Sequence, residues 1–391
     1  MKLTNLVLAF AAAQSAFAAV SPIDPLKELM IVDRNVVESA RSMPGGPWHF
    51  GTLMREMLPA TASDADVSQF VVSWLEEWEK VTSVNGFAVT PRPSVRDTVI
   101  CPWLNASTGK TDCTGVLDMR KAPMRLMAIT NRIDVKKGND AGEGRITFAV
   151  LDNPTENPNS PDEFAREFTI LINYALPVSA RKDAVAWAKE WHTLSDLSCD
   201  AGSCEAFNAA LQAITDQFTK RDLMAGKPNG NPFIELHTNE FALGSPWELR
   251  EFTMAPTKRG FRLAQSVLNK TPGIEANNTK DLIDWATENQ ASILTETHVV
   301  PKRFLGGMSH QSFGSEFKWQ LTGLPENVRH LFSKNTCNGC HREEFPLVPS
   351  VDGFYHISPL RPAGPDRLSP WIRDTDLPRR VKFIEALLAQ K

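Results

Sequence analysis

The sequence predicts an α+β protein built on a largely antiparallel sheet flanked by helices, and three observations carry that expectation. Strand patterns come in groups rather than alternating with helices: residues 124–135, 145–152 and 168–176, then 233–243, 247–254 and 260–268. The second group has short connections, as an antiparallel meander requires. Apolar residues at helical spacing bracket the groups, with Phe70, Val71, Trp74, Leu75 and Trp78 before them and Leu282, Ile283 and Trp285 after.

Taken in order, residues 25–42 read as an early helix stopped by Pro44-Gly45-Gly46-Pro47. Ser63, with Asp64 and Asp66 behind it, opens the next helix. Residues 87–115, rich in Pro, Thr and Cys, read as loop. The run 168–176 is nearly continuous in apolar residues, which suits a central strand. Ser179 caps a helix bearing Ala184, Trp187, Ala188, Trp191 and Leu194. Another, from about Ser203, bears Phe207, Ala210, Leu211, Ile214 and Phe218. Residues 226–232 are a turn cluster, and Thr279 opens a further helix. Residues 306–323 read as loop. Pro325 and Glu326 suit the first turn of a helix ending near Lys334, residues 346–370 are Pro-rich and irregular, and residues 376–391 form a closing amphipathic helix.

The first 18 residues have the form of a signal peptide: Lys2, an apolar run from Leu6 to Ala13, then Ala16-Phe17-Ala18 before a cleavage point. The expectation is a periplasmic or secreted protein cut near Ala18, with residues 19–323 as an α+β domain and residues 324–391 as a small C-terminal segment. The apolar run is too short to span a bilayer. The full chain carries a net charge of -4 and no basic stripe, so nucleic acid is not an expected partner. Ten Trp against two Tyr point to large apolar anchors in a core.

Six cysteines in an exported chain call for pairing. Cys101 and Cys113 bracket a polar loop, and Cys199 and Cys204 bracket the turn-like Asp200-Ala201-Gly202-Ser203; both pairs read as local disulfides. Cys337 and Cys340 remain, in Cys337-Asn338-Gly339-Cys340-His341. In such a Cys-x-x-Cys-His run, two thiols add to the haem vinyl groups while the adjacent imidazole ligates the iron. The expected cofactor is one covalent haem c, bound by Cys337 and Cys340 with His341 as proximal ligand. A Cys337–Cys340 disulfide is the alternative, and a zinc site lacks a second cysteine pair. No Met follows His341. His356 is the downstream candidate for the distal iron ligand, with Met308 and His310 as others; His330 is read as a surface or supporting residue, and Trp191-His192 as structural.

Charged residues inside the strand patterns form a second constellation: Asn131, Arg132 and Asp134; Glu143 and Arg145; His237, Asn239, Glu240, Trp247, Glu248, Arg250 and Glu251. A buried ion-pair network is the favoured reading, a substrate pocket the other.

The stretches Asn131-Arg132-Ile133-Asp134, Gly142-Glu143-Gly144-Arg145, Thr238-Asn239-Glu240, Pro246-Trp247-Glu248-Leu249-Arg250-Glu251-Phe252 and Asn335-Thr336-Cys337-Asn338-Gly339-Cys340-His341 resemble an uncharacterised family of secreted bacterial proteins, met in myxobacteria and other proteobacteria. Its members carry a single C-terminal Cys-x-x-Cys-His, cytochrome c-like. The resemblance runs from about Met124 onward and implies a longer signature that includes Phe354-Tyr355-His356-Ile357. Where the family has Glu-Thr after the motif, this chain has Glu343-Glu344-Phe345. It brings no established activity. The expectation is therefore an exported haem protein for electron transfer or haem-dependent redox chemistry, an oxidoreductase or peroxidase included. Its partner would be a redox protein or a small oxidant or reductant. The other expectation is a non-haem secreted binding protein with a Cys337–Cys340 disulfide.

Overall fold

The computed structural model describes residues 22–135, 141–177, 184–258, 260–311, 317–344 and 354–390. The signal-like segment, the Ser179 cap and most of the link between the first two strand patterns lie outside the described residues. The strands are β1 (Met30–Ile31), β2 (Thr82–Val84), β3 (Phe87–Val89), β4 (Met124–Arg132), β5 (Glu143–Leu151), β6 (Ala165–Ala175), β7 (Phe233–Glu240), β8 (Trp247–Thr257), β9 (Gly260–Gln265) and β10 (Met308–Gln311). β2 and β3 form a separate hairpin. The others make one 8-stranded sheet, ordered β1-β4-β5-β6-β7-β8-β10 with β9 also on β8, and its neighbours are antiparallel. The protein is α+β, as the grouped strand patterns require.

Register sorts the side chains. One row across the sheet reads Ile146, Ile172, Leu236 and Phe252; the adjacent row, on the opposite face, reads Arg145, Asn173 and Glu235. The apolar face is buried beneath the helices Phe50–Glu56, Asp64–Leu75 and Glu205–Thr219, in a core that includes Trp48, Trp74, Trp78 and Trp103. Trp78 lies 5.6 Å from Trp74, 6.0 Å from Phe168 and 4.8 Å from Phe252, ring centre to ring centre. Gly144 lets the helix Glu205–Thr219 close on β5, because a Cβ there would stand 2.4 Å from Phe218.

The polar face is covered by the C-terminal part of the chain. Tyr355 donates its hydroxyl to Glu167 O at 2.6 Å, and Arg367 Nη1 donates to Met127 O at 2.8 Å. Residues after Leu324 share their apolar contacts with earlier parts of the chain. Val328 and Phe332 pack with Trp285 and Trp319, Phe354 and Tyr355 with Trp247, and Ile372 and Ile384 with the main core.

Several elements differ from expectation, each for a physical reason. Residues 25–42 are not one helix: Pro25–Glu28 and Arg34–Val37 are four residues each, separated where Met30 and Ile31 pair with Thr130 and Ile129. Strand pairing outweighs helical spacing there. The supposed loop 87–115 contains the helix Cys101–Thr108, with Pro102 in its first turn, where a missing N–H costs nothing. Residues 308–311, also read as loop, form the edge strand β10. Ser63 does cap the helix Asp64–Leu75, in a capping box with Asp66. Cys101–Cys113 and Cys199–Cys204 are the two disulfides, the pairing expected from the sequence.

An unforeseen N-cap offers a test. His49 accepts from Gly51 N at 3.2 Å, is 2% exposed, and burial pushes its imidazole down to about 4. Its unfolded counterpart titrates near 6.5, so unfolding takes up a proton between those values and stability is lost as pH falls through that window. His49→Asn keeps an acceptor at the cap and removes the proton. Measured from urea midpoints, the variant should gain on the wild type by up to about 3 kcal/mol between pH 7 and pH 4.

Candidate functional site

The helix Glu326–Lys334 ends at Asn335, and the chain then turns through Cys337 into a π-type turn, Gly339–Glu343, that carries Cys340 and His341. Gly339 is needed because a Cβ would meet Ser333 O at 2.0 Å, so the turn sits directly on the end of the helix. Thr336 caps the turn: its hydroxyl donates to Ser333 O at 2.7 Å and accepts from Gly339 N at 3.2 Å. Trp319 Nε1 donates to Asn338 Oδ1 at 3.0 Å. Glu344 is held by Arg329 at 2.7 Å and by His330. His330 itself is 43% exposed, a surface residue.

Cys337 and Cys340 are free and half-buried, and burial pushes each thiol up to about 12. Both are thus neutral at ordinary pH. Thr271 grips Cys337, accepting from its N–H at 2.9 Å and donating to its Sγ at 3.2 Å.

His341 Nδ1 donates to Phe354 O at 2.8 Å, and burial pushes the ring down to about 4, so it is neutral. That fixes the proton on Nδ1 and leaves Nε2 as a lone-pair donor. Asn239 supports the arrangement from β7. Its Nδ2 donates to the same Phe354 carbonyl at 3.1 Å, and its Oδ1 accepts from Trp247 Nε1. Trp247 stacks on Phe354 at 5.2 Å with planes 6° apart, and its ring lies 5.4 Å from His341. Two unjoined thiols one turn apart, beside an imidazole whose free nitrogen is fixed, fit the donor set of a c-type haem.

The other ligand candidates do not converge on that nitrogen. His356 lies with its ring centre 4.7 Å from that of His341, with its Nε2 3.5 Å from Cys340 Sγ and its Nδ1 3.1 Å from Ser369 Oγ. Two rings on opposite sides of one ion, each with its nitrogen about 2 Å from the metal, stand farther apart than that. Met308 and His310 pair with Arg250 and Glu248, on the opposite face of the sheet from Trp247 and Asn239.

The constellation of strand charges splits the same way. Arg132 meets Asp134 at 2.9 Å, and Asp134 also meets Arg379 of the last helix at 2.9 Å. Glu143 meets Arg145 at 2.6 Å on the same face. Glu240, Glu248 and Arg250 lie behind, on the apolar face, where Arg92 reaches Glu240 at 2.8 Å and Glu248 at 2.9 Å. Arg250 meets Glu248 at 2.7 Å. Both groups are ion-pair networks, the favoured expectation. The rear one borders a cavity of about 430 Å³ lined by Thr90, Arg92, Pro246, Met308 and His310 among others.

Thr271, the Phe354 carbonyl and Glu235 escaped sequence reading. A backbone carbonyl has no side-chain signature, and Thr271 is 66 residues from Cys337. Glu235 was accessible, because it stands two residues before His237 and so shares its face.

Asn239→Ala would strand the buried indole N–H of Trp247 and remove a donor from Phe354 O. The expected loss is about 1–3 kcal/mol in urea denaturation. Compared with known protein families, curated proteins and solved structures, the chain has no match.

Proposed function

We propose that this is an exported protein carrying one haem, attached through Cys337 and Cys340 with His341 as axial ligand, and that it works in redox chemistry. The observation that carries this reading is the commitment of His341 Nδ1 to Phe354 O beside two free thiols, which leaves Nε2 for a metal. Such a group supplies one-electron transfer or, with an open coordination position, peroxide and gas chemistry. The chain's own part is to orient His341 through Phe354 and Asn239, keep it neutral by burial, and wall it with Trp247. The signal-like start supports export. Among the described residues no helix is long and apolar enough to cross a membrane. A redox protein or a small oxidant or reductant is the partner this chemistry needs. A scaffold of this size exceeds what shuttling alone requires, which favours an enzymatic variant.

The rival reading, a secreted binding protein without haem, draws on the cavity beside Arg92, Glu248 and His310. The discriminating experiment is expression with cytochrome c maturation, followed by a haem-stained denaturing gel and an intact mass. A stained band and the mass of one added haem are expected, both abolished in Cys337→Ser/Cys340→Ser. An unstained wild-type chain without added mass overturns the proposal.

Because His356, Met308 and His310 do not oppose His341, the reduced protein should bind carbon monoxide with a shifted Soret band. A six-coordinate low-spin spectrum indifferent to carbon monoxide would show a side chain in the sixth position, and the enzymatic variant would fail.

A further inference from the structure

On the polar face of the sheet, Glu235, His237 and Glu251 converge on one point. His237 Nε2 lies 3.3 Å from Glu235 Oε1 and 3.1 Å from Glu251 Oε2, and the ligand atoms of the three residues all lie within 4.8 Å of one another. We propose that these three side chains form a second, independent site for a divalent first-row cation such as Mn²⁺, Fe²⁺ or Zn²⁺.

Geometry is the first support. Both carboxylates face the same imidazole nitrogen, and an N–H there points in only one direction, so it cannot serve both well. An ion about 2.0–2.2 Å from each donor places neighbouring ligand atoms about 3.0–3.5 Å apart. The two nitrogen–oxygen distances fall in that interval.

Charge is the second support. Arg145, whose charge also acts on Glu235, is hydrogen-bonded to Glu143 at 2.6 Å and 2.9 Å. Among the described residues, His237 is the ion-pair partner of both Glu235 and Glu251, so two carboxylates share one imidazole. Burial raises the Glu235 carboxyl, and the charges of Glu251 and Glu143 add to the rise. The two carboxylates hold the His237 imidazole toward its charged form, yet one imidazole against two carboxylates leaves the cluster short of positive charge, which a divalent cation supplies.

An orphaned acceptor is the third. Asn173 is fully buried and is the cross-strand partner of Glu235 on this face. Its Nδ2 donates to Glu235 Oε1 at 2.9 Å, while its Oδ1 has no hydrogen-bond partner. An ion, or water bound to one, would satisfy that oxygen. Glu251 is already positioned, accepting from Ser266 Oγ at 3.0 Å on its other oxygen, as metal-ligating carboxylates are held. His237 keeps 23% of its side chain exposed, a route of entry. Three protein donors leave coordination positions for water or a substrate oxygen.

The test uses the full chain and Mn²⁺ alone, a cation indifferent to the thiols of Cys337 and Cys340. Equilibrium dialysis and loss of the free Mn²⁺ electron-resonance signal should show one ion per chain. His237→Gln and Glu251→Gln should weaken binding about ten-fold or more, with unchanged circular dichroism. Cys337→Ser/Cys340→Ser should leave it intact, which separates this site from the haem reading. Affinity should fall as pH is lowered, because protons compete for the same donors. Absence of saturable binding, or binding untouched by His237→Gln and Glu251→Gln, overturns the proposal.

Discussion

The register of β7 against β8 is the constraint on which the polar chemistry depends. Leu236 opposes Phe252, His237 opposes Glu251 and Asn239 opposes Leu249. With that pairing fixed, alternation leaves no freedom. His237, Asn239, Trp247 and Glu251 face the C-terminal segment, while Glu240, Glu248 and Arg250 face the tryptophan-rich core. A slip of one residue would turn one strand over relative to the other. Turning β7 would put Leu236 under the C-terminal segment and take Asn239 away from His341, and turning β8 would do the same with Phe252 and Trp247. Few errors in a sheet would cost as much, since each polar group so displaced would lose partners inside the protein.

Both faces therefore hold buried charge, and each balances it differently. Behind the sheet, two guanidiniums, Arg92 and Arg250, meet two carboxylates, Glu240 and Glu248, and Arg250 also lies 5.7 Å over the Trp78 ring. Even so, burial holds the Glu240 carboxyl up to about 7. In front, Arg132, Asp134, Asp376 and Arg379 pair off near the last helix. The Glu235–His237–Glu251 group is different, because carboxylate outnumbers fixed cation there. That imbalance beside Cys337 is what separates a structural network from a place able to take a charged ligand.

Much of this was legible in the sequence, and the limits have identifiable causes. Period-two and period-3.6 patterns located the sheet, its meander and the long helices, and Ser63 and Thr279 marked their starts because a side-chain cap is a local event. Short elements were not legible. Met30–Ile31 and Met308–Gln311 are strands only because β4 and β8 lie alongside, at partners such as Thr130 and Arg250. The site divided along the same line. Cysteine arithmetic isolated Cys337 and Cys340, but the grouping of Arg132 and Asp134 with Glu240, Glu248 and Arg250 was broken by the pleat. Within β7 and β8 that division is simple alternation, since Glu240, Glu248 and Arg250 are even-numbered and lie behind while His237, Asn239, Trp247 and Glu251 are odd-numbered and lie in front.

The remaining question is why so short a motif stands on so large a scaffold. The five residues from Cys337 to His341 supply donors but not their orientation. That comes from Thr271, 66 residues away from Cys337, from Asn239, 102 residues away from His341, and from a carbonyl in the segment returning across the sheet. The described residues after Leu324 form no core of their own, since their apolar side chains are divided among three clusters that each begin elsewhere in the chain. An excised C-terminal segment would keep the Cys-x-x-Cys-His pattern and lose what makes His341 neutral, directed and walled. The motif and the sheet are accordingly one unit, in which local sequence supplies the chemistry and long-range pairing supplies its geometry.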